Sequence, residues 1–436
     1  MNKTIKGACL VAATAMLPLS QAAKADVNIS GWVNEGAMYY DDGASSDIVQ
    51  SADNGTTLNS RISFTGSHEL PNSGLSAGFE ISIEPSSGFN PGLFGGSTPL
   101  AVSNQSFFGD DNNFLSSVTV LASNIWVSGS FGKLTIGTQS MPTDNIGVLE
   151  DPSVTLWANI SPVFRGNSFT INNGGGTGWG NWLNCFTTPG LQIGFDCNGV
   201  YRNGIRYDLP AFGPVTVAVG YANDDIYDVA AKYKGTLGGL NTSLALGYAM
   251  NQGPTLPTGL ISNAATTGLS GTGGDAFNLQ ALPSGFDETE IFQVQLGVMD
   301  PGTGLFGAIS YQHEEADLSG TPAANVSDDT DAWYFKGGIK RDFNSLGPTS
   351  FHFAYGSYND QYDATRAAAG VTGSEVERIS FGVTQYFGAA FQIYGTWEQL
   401  DLDVDCGIAA TAATCNASFG NADELDMFNL GATYFF

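Results

Sequence analysis

The sequence predicts an all-β protein, a 16-stranded antiparallel transmembrane β-barrel with short turns at one end and long loops at the other. Three observations carry that prediction. Segments of roughly 8 to 14 residues alternate apolar and polar positions along nearly the whole chain, as membrane strands do. The connections between those segments alternate between short and long. The chain also ends on Phe428, Leu430, Ala432, Tyr434 and Phe436, an apolar row at strand spacing with nothing after it to cover that face.

The first residues read as a targeting segment. Lys3 and Lys6 precede an apolar stretch from about Ala8 to Leu19, and Ala23-Lys24-Ala25 is a small-x-small cleavage site before Asp26. Residues 1–25 are therefore expected to leave as a signal peptide, and Cys9 with them, so that residues 26–436 form a single barrel domain. No later segment approaches 18 consecutive apolar residues, which excludes transmembrane helices. No Pro-rich linker or shift of composition divides the rest. Removing Lys3, Lys6 and Lys24 from 15 Lys and Arg leaves 12 against 42 acids, a balance of −30. Nucleic acid is then an unexpected partner, because phosphate backbones demand the opposite sign. The 57 glycines, with 12% aromatic and only 13% charged residues, suit many strands and turns and few exposed helices.

In chain order, the expected strands are Val27 to Tyr40, Thr57 to Leu70, Leu75 to Glu84, Val118 to Phe131, Lys133 to Gln139, Arg202 to Leu209, Pro214 to Asn223 and Ile226 to Gly235. They continue with Gly239 to Met250, Glu288 to Asp300, Gly304 to Glu314, Asp331 to Asp342, Thr349 to Tyr358, Glu375 to Phe387, Ala389 to Leu400 and Leu425 to Phe436. Short turns such as Pro71 to Gly74, Gly132 and Gly388 fall between long polar loops such as Ser140 to Tyr201, with Asp224-Asp225 the one short exception among the long set. A soluble sandwich or solenoid has no reason to gather its short turns at one end. An outer-membrane barrel has short periplasmic turns and long external loops. In lipid every backbone group needs a partner, so the last strand should close against the first. Rows such as Val215, Val217, Val219 and Tyr221 should face hydrocarbon, with aromatics including Tyr311, Trp333, Trp397 and Tyr434 at the interfaces.

Several stretches resemble the general porins of Gram-negative outer membranes. They are Phe131-Gly132-Lys133-Leu134-Thr135-Ile136-Gly137, Asn203-Gly204-Ile205-Arg206-Tyr207-Asp208, Ser60-Arg61-Ile62-Ser63-Phe64 and the ending Gly431-Ala432-Thr433-Tyr434-Phe435-Phe436. The resemblance implies a third loop folded inward, a homotrimer in outer-membrane lipid and lipopolysaccharide, passive diffusion of small hydrophilic solutes, and a terminal Phe read by the barrel assembly machinery. It also implies a constriction. In this chain the third loop offers Asp144, Glu150 and Asp151 as its acidic side. Strand alternation offers Arg61, Arg206, Arg378, Lys336 and Lys340 as the basic side. Where family members often carry a basic residue, this chain has Thr138, which points to a weaker basic side. Opposed charges across a narrow opening order water and hinder apolar solutes. The acidic balance predicts a preference for cations.

Four cysteines remain after Cys9. Cys185 with Cys197 and Cys406 with Cys415 are the expected disulfides among three connectivities, and no CxxC or nearby histidine supports zinc instead. Asp401, Asp403 and Asp405 are weak candidates for structural calcium or magnesium, against the plainer reading of a solvated acidic rim. No GxSxG, HExxH or phosphate loop occurs, and of His68, His313 and His352 only His313, beside Glu314 and Glu315, suggests a base, so no enzyme and no cofactor is expected. A substrate-specific channel would need a continuous aromatic track, and a barrel-anchored adhesin or structural protein would need loops that fill the lumen.

Overall fold

A computed structural model describes residues 26–50, 60–86, 117–148, 151–159, 169, 171–183, 201–222, 225–252, 286–318, 326–362 and 364–436. The expected signal peptide, Glu150, Cys185 and Cys197 lie outside the described residues. The strands are β1 (Asp26–Asp41), β2 (Ser46–Gln50), β3 (Arg61–Leu70), β4 (Leu75–Ser86), β5 (Ser117–Gly129), β6 (Gly132–Ser140), β7 (Tyr201–Asp208), β8 (Val215–Ala222) and β9 (Ile226–Leu237). They continue as β10 (Leu240–Asn251), β11 (Phe286–Met299), β12 (Leu305–Leu318), β13 (Asp329–Asn344), β14 (Gly347–Asn359), β15 (Gly373–Phe387), β16 (Phe391–Asp405) and β17 (Leu425–Phe435).

Sixteen of these strands close an antiparallel barrel. The exception is β2, a short strand in the first long connection that pairs with the outer half of β1, Asp41 opposite Ser46. The alternation pattern did not reveal it, because a five-residue strand inside a polar loop carries too little periodicity. Closure is made by β1 and β17 in register from Trp32↔Phe435 to Asp41↔Asp426. Two further bonds seal the seam: the Gly31 N–H donates to Phe436 O at 3.0 Å, and the Phe436 N–H donates to Gly31 O at 3.1 Å. Gly31 is required there, since a Cβ would lie 2.0 Å from the Arg61 carbonyl oxygen.

The two faces of the wall follow strand alternation. On β17, Phe428, Leu430 and Tyr434 are exposed to the outside, Leu430 at 65%, whereas Met427, Asn429 and Thr433 are buried inward. Val219 and Tyr221 on β8, and Phe292 and Leu296 on β11, stand outward as expected. An interfacial girdle forms near the long-loop end, where aromatic side chains donate to neighbouring carboxylates: Tyr221 to Asp225 at 3.1 Å, Trp397 Nε1 to Asp426 at 2.9 Å, Tyr311 to Asp331 and Tyr355 to Glu377. Amphipathic rings of this kind sit where apolar lipid meets water. No described helix is long and apolar enough to cross a membrane.

Two strands outrun their expected ends by four residues or more, β12 to Leu318 and β16 to Asp405. This corrects the placement of Asp401, Asp403 and Asp405, which belong to a strand and not to a loop. The β15–β16 ladder continues past the apolar band to Gly373↔Asp405 because Leu400 and Leu402 anchor the inward face. Alternation then spreads the three carboxylates along the outward face, and among the described residues no group of three His, Cys, Asp or Glu is placed to hold a metal. Cys406 and Cys415 form the expected disulfide, which ties β16 to the helix Ala412–Phe419.

The outward face sets a direct expectation for stability. Replacing Leu430, central in β17, with Arg should cost about 2–4 kcal/mol, the usual penalty for a cation facing mid-bilayer lipid. Denaturant unfolding in lipid vesicles would measure it, and a cost near zero would place Leu430 away from hydrocarbon.

Candidate functional site

The site is the third long loop, which begins where β6 ends at Ser140. Its first residues curl through three reverse-turn bonds, Asp144 N–H to Met141 O, Ile146 N–H to Thr143 O and Val148 N–H to Asn145 O. The segment then runs along the inside of the barrel wall. On β9, the Asp228 carboxylate accepts from the Thr143 N–H at 2.9 Å and from its hydroxyl at 2.8 Å. On β11 and β12, Gln295 Nε2 and Ser310 Oγ donate to Gly147 O at 3.0 and 2.9 Å. On β13, Lys336 forms an ion pair with Asp151 and donates to Asn159 O, while Lys340 donates to Ser153 O at 2.9 Å. Further round, Tyr386 on β15 donates to Val154 O at 2.8 Å and Thr396 on β16 to Ala158 O at 2.6 Å. The path ends at the seam, where Trp157 packs edge-on against Trp32 and Phe435 with centroids 5.3 and 5.5 Å apart.

Wall side chains on β11, β12, β13, β15 and β16 thus donate to loop carbonyls, while Asp228 on β9 accepts from the loop and Trp32 on β1 packs against it. That arrangement satisfies a backbone lying inside the barrel without secondary structure of its own.

The later part of the same loop has a different role. Phe169 and the turn Trp179–Trp182 pack with Tyr40, Tyr358, Val371 and Phe419 in one apolar cluster, with Phe169 on Tyr40 at 4.9 Å and Trp182 on Phe419 at 5.3 Å. The buried Cys415 joins this cluster, and Asn172 binds Asp423 beside it. The inward faces of β13 to β17 and β1 near the long-loop end are therefore covered by protein. The lumen's polar wall lies on β3 to β9.

Around the inner wall of the barrel the expected basic residues take partners of two kinds. Lys336 meets loop Asp151, as strand phase suggested. Burial disfavours the Asp151 anion, but Lys336 and the Ser153 donors outweigh it and hold its pKa below the usual carboxylate value. Lys340 meets a loop carbonyl and sits 4.0 Å from the Tyr386 ring centroid. Arg61 and Arg378 are instead bound to wall carboxylates. Arg61 donates through Nε and Nη2 to Glu84 Oε1 at 2.9 and 2.7 Å, with its guanidinium 4.7 Å from the Trp32 ring. Arg378 pairs with Glu398 at 2.6 Å, both buried, and also reaches Asn159 Oδ1 at 2.9 Å. Arg206 binds Asp208 Oδ1 and donates to Ser140 O at 2.9 Å.

Asp144 is buried at the start of the loop. Burial raises its pKa, and Lys232, Arg61 and Arg206 only partly offset that. The carboxylate nevertheless lies within electrostatic reach of those three cations.

Glu84, Glu398, Asp228 and Asn159 were missed by sequence reasoning. For the first two the signal was present, since Glu84 shares the inward phase of Ser82, and Glu398 that of Thr396. Asp228 likewise alternates with the outward Tyr227 and Val229, and nothing in the sequence marks Asn159. Thr138 bonds Asn203 on the neighbouring strand. His313 faces outward, its Nδ1 3.1 Å from Asp331, while His352 is buried beneath the loop.

Residues 8–436 match the sequence profile described as Gram-negative porin. No curated protein sequence matches significantly. Among solved structures, the barrel is similar to an anion-selective porin from Comamonas acidovorans at 17% identity and TM-score 0.56, covering 95% of this chain and 100% of that one. It is similar to OmpF of Salmonella typhi, solved with daunomycin, at 12% identity and TM-score 0.53, covering 94% and 97%. It is also similar to a trimer form of OmpT, an outer membrane protein of Vibrio cholerae, at 10% identity and TM-score 0.51, covering 94% and 99%. At these identities the likeness is one of fold.

The Lys336–Asp151 pair makes loop docking testable. Lys336→Met leaves a buried carboxylate without its cation, a change expected to cost about 3–5 kcal/mol. Lys336→Met with Asp151→Leu should recover most of that loss in denaturant unfolding. Equal instability of the single and double variants would show that the pair does not hold the loop.

Proposed function

The chain belongs to the Gram-negative porin family, and from that premise we propose an outer-membrane channel for passive diffusion of small hydrophilic solutes and ions, with cations favoured. The observation that supports this most is the docking of residues 141–148 and 151–159 against the inner wall by side chains from β9 to β16, which puts this part of the loop inside the barrel. A barrel of sixteen strands encloses water, and the narrowest part governs what passes. At the constriction Asp144 stands against Arg61, Arg206 and Lys232, so permeating solutes cross a transverse field.

Cation preference rests on the long-loop end, where Glu288, Glu290, Asp331, Glu375, Glu377, Asp401 and Asp403 crown the strands. These carboxylates stand mainly on the outward face. Their effect on the mouth is therefore long-range and fades as salt shortens the Debye length. Three copies per assembly and a lipopolysaccharide-bearing outer leaflet belong to the same proposal. Catalysis finds no support, because His313 points away from the lumen.

Single-channel recording in a planar bilayer with a salt gradient tests this reading. Three coupled conductance steps and a cation-selective reversal potential are expected, and a folded barrel without conductance would defeat it. Asp144 makes the pH dependence specific. Its raised pKa means that its charge is lost, as pH falls, before that of an ordinary carboxylate. Cation preference should therefore begin to decline above the usual carboxylate range in the wild type, whereas Asp144→Asn should lack that step. Asp144→Asn with Glu150→Gln should lower the preference further at alkaline pH, and unchanged selectivity would remove both residues from the constriction.

A further inference from the structure

Four of the inward basic side chains, Lys133, Arg206, Lys232 and Lys234, gather on one part of the wall, β6 to β9. Cross-strand register sets Thr135 opposite Arg206 and Lys133 opposite Asp208, then Arg206 opposite Gly220 and Asp208 opposite Ala218. On the next strand Thr216 lies opposite Lys232, and beyond it Ala245 and Ser243 lie opposite Lys232 and Lys234. The inward positions of β8 and β10 are thus small, and the lysines of β9 rise from a low floor. Above them the start of the third loop forms a roof. Met141 and Pro142 press on Gly220 so closely that a Cβ there would lie 2.6 and 2.8 Å from them. At the short-turn end Lys133 sits 5.1 Å from the Trp126 ring centroid, and Lys234 is exposed. At least three carboxylates lie near these four cations: Asp208, which binds Arg206, Asp144 at the roof, which faces Lys232 and Arg206, and Asp228 on β9, which lies near Arg206.

We infer that Lys133, Arg206, Lys232 and Lys234 form a station for small multivalent oxyanions, phosphates or carboxylates, on the periplasmic side of the constriction. The inference rests on the channel reading above and adds a solute class to it. Ammonium groups on flexible stems are point-charge donors suited to oxyanions, and a guanidinium adds a planar pair of donors. Low-dielectric walls focus their combined potential into the lumen. The outward acids of the opposite end do not cancel it, since they lie beyond a Debye length at physiological salt. An anion drawn in from the periplasmic side meets this sector first, while one from outside must first pass the acidic crown and the loop. Capture should therefore be sided.

Single channels of the full-length protein in chloride salt, oriented in a planar bilayer, provide the test. Inorganic phosphate added at mildly alkaline pH to the short-turn side should produce brief current blocks, and a parallel arm with citrate separates a phosphate seat from general oxyanion capture. Block by either anion should need a severalfold higher concentration from the long-loop side. Lys133→Gln with Lys234→Gln, two changes at strand ends that leave the loop anchors untouched, should raise the half-blocking concentration by about tenfold while chloride conductance persists. If the wild type conducts and neither anion blocks it, or both block the double variant equally, the station is refuted and the porin reading stands. A silent wild-type barrel would remove both.

Discussion

Everything in this molecule depends on one constraint: a strand surrounded by hydrocarbon has no water with which to pair its N–H and C=O groups. The wall must therefore close, and the seam between β1 and β17 closes it. Once closed, the sheet fixes which residues look outward and which inward, because side chains alternate along every strand. Leu430 meets lipid because Asn429 does not. The same constraint explains the sequence's economy of charge at membrane depth, where Arg61, Lys336 and Arg378 all project inside and find carboxylates or carbonyls.

Inside the barrel the problem is inverted. The described residues 141–148 and 151–159 have no ladder of their own, so their carbonyls are met by the side chains of Gln295, Ser310, Lys340, Tyr386 and Thr396. Each donor is weak singly, with a net contribution of roughly 1 kcal/mol, but removing one strands a buried acceptor. The apolar cluster around Phe169, Trp182 and Phe419 complements this by filling one side of the long-loop end. Polar anchoring works on one level and apolar packing on another, and the inward side chains of β3 to β9 are largely polar and carry charge unequally.

Much of the barrel was legible in the sequence because period-two alternation and the rhythm of short and long connections are local properties. Strand ends shifted by a few residues, and only β2 was overlooked. The interior was less legible. Phase alone placed Arg61, Arg206, Arg378, Lys336 and Lys340 in the lumen, but phase says nothing about which neighbour they choose. Lys336 found loop Asp151, whereas Arg378 found Glu398 across a strand pair. Asp401 to Asp405 misled for the opposite reason, since a polar run after an apolar segment reads as a loop although Leu400 and Leu402 carry the strand onward. Asn159 could not be found at all, because its partners Arg378 and Ser380 lie 219 and 221 residues away.

Those separations have a further consequence, which concerns time and not energy. The seam joins the first described strand to the last, and the loop inside it leans on strands that follow it in the chain, as far as β16. Contacts between such distant segments are formed late, after much loop-closure entropy has been lost. Residues 141–148 and 151–159 lean on strands from β9 to β16, so their contacts wait for wall that follows them in the chain, and the Gly31–Phe436 bonds span the longest separation of all the described bonds. The topology thus makes both the loop's docking and the seam high-contact-order events.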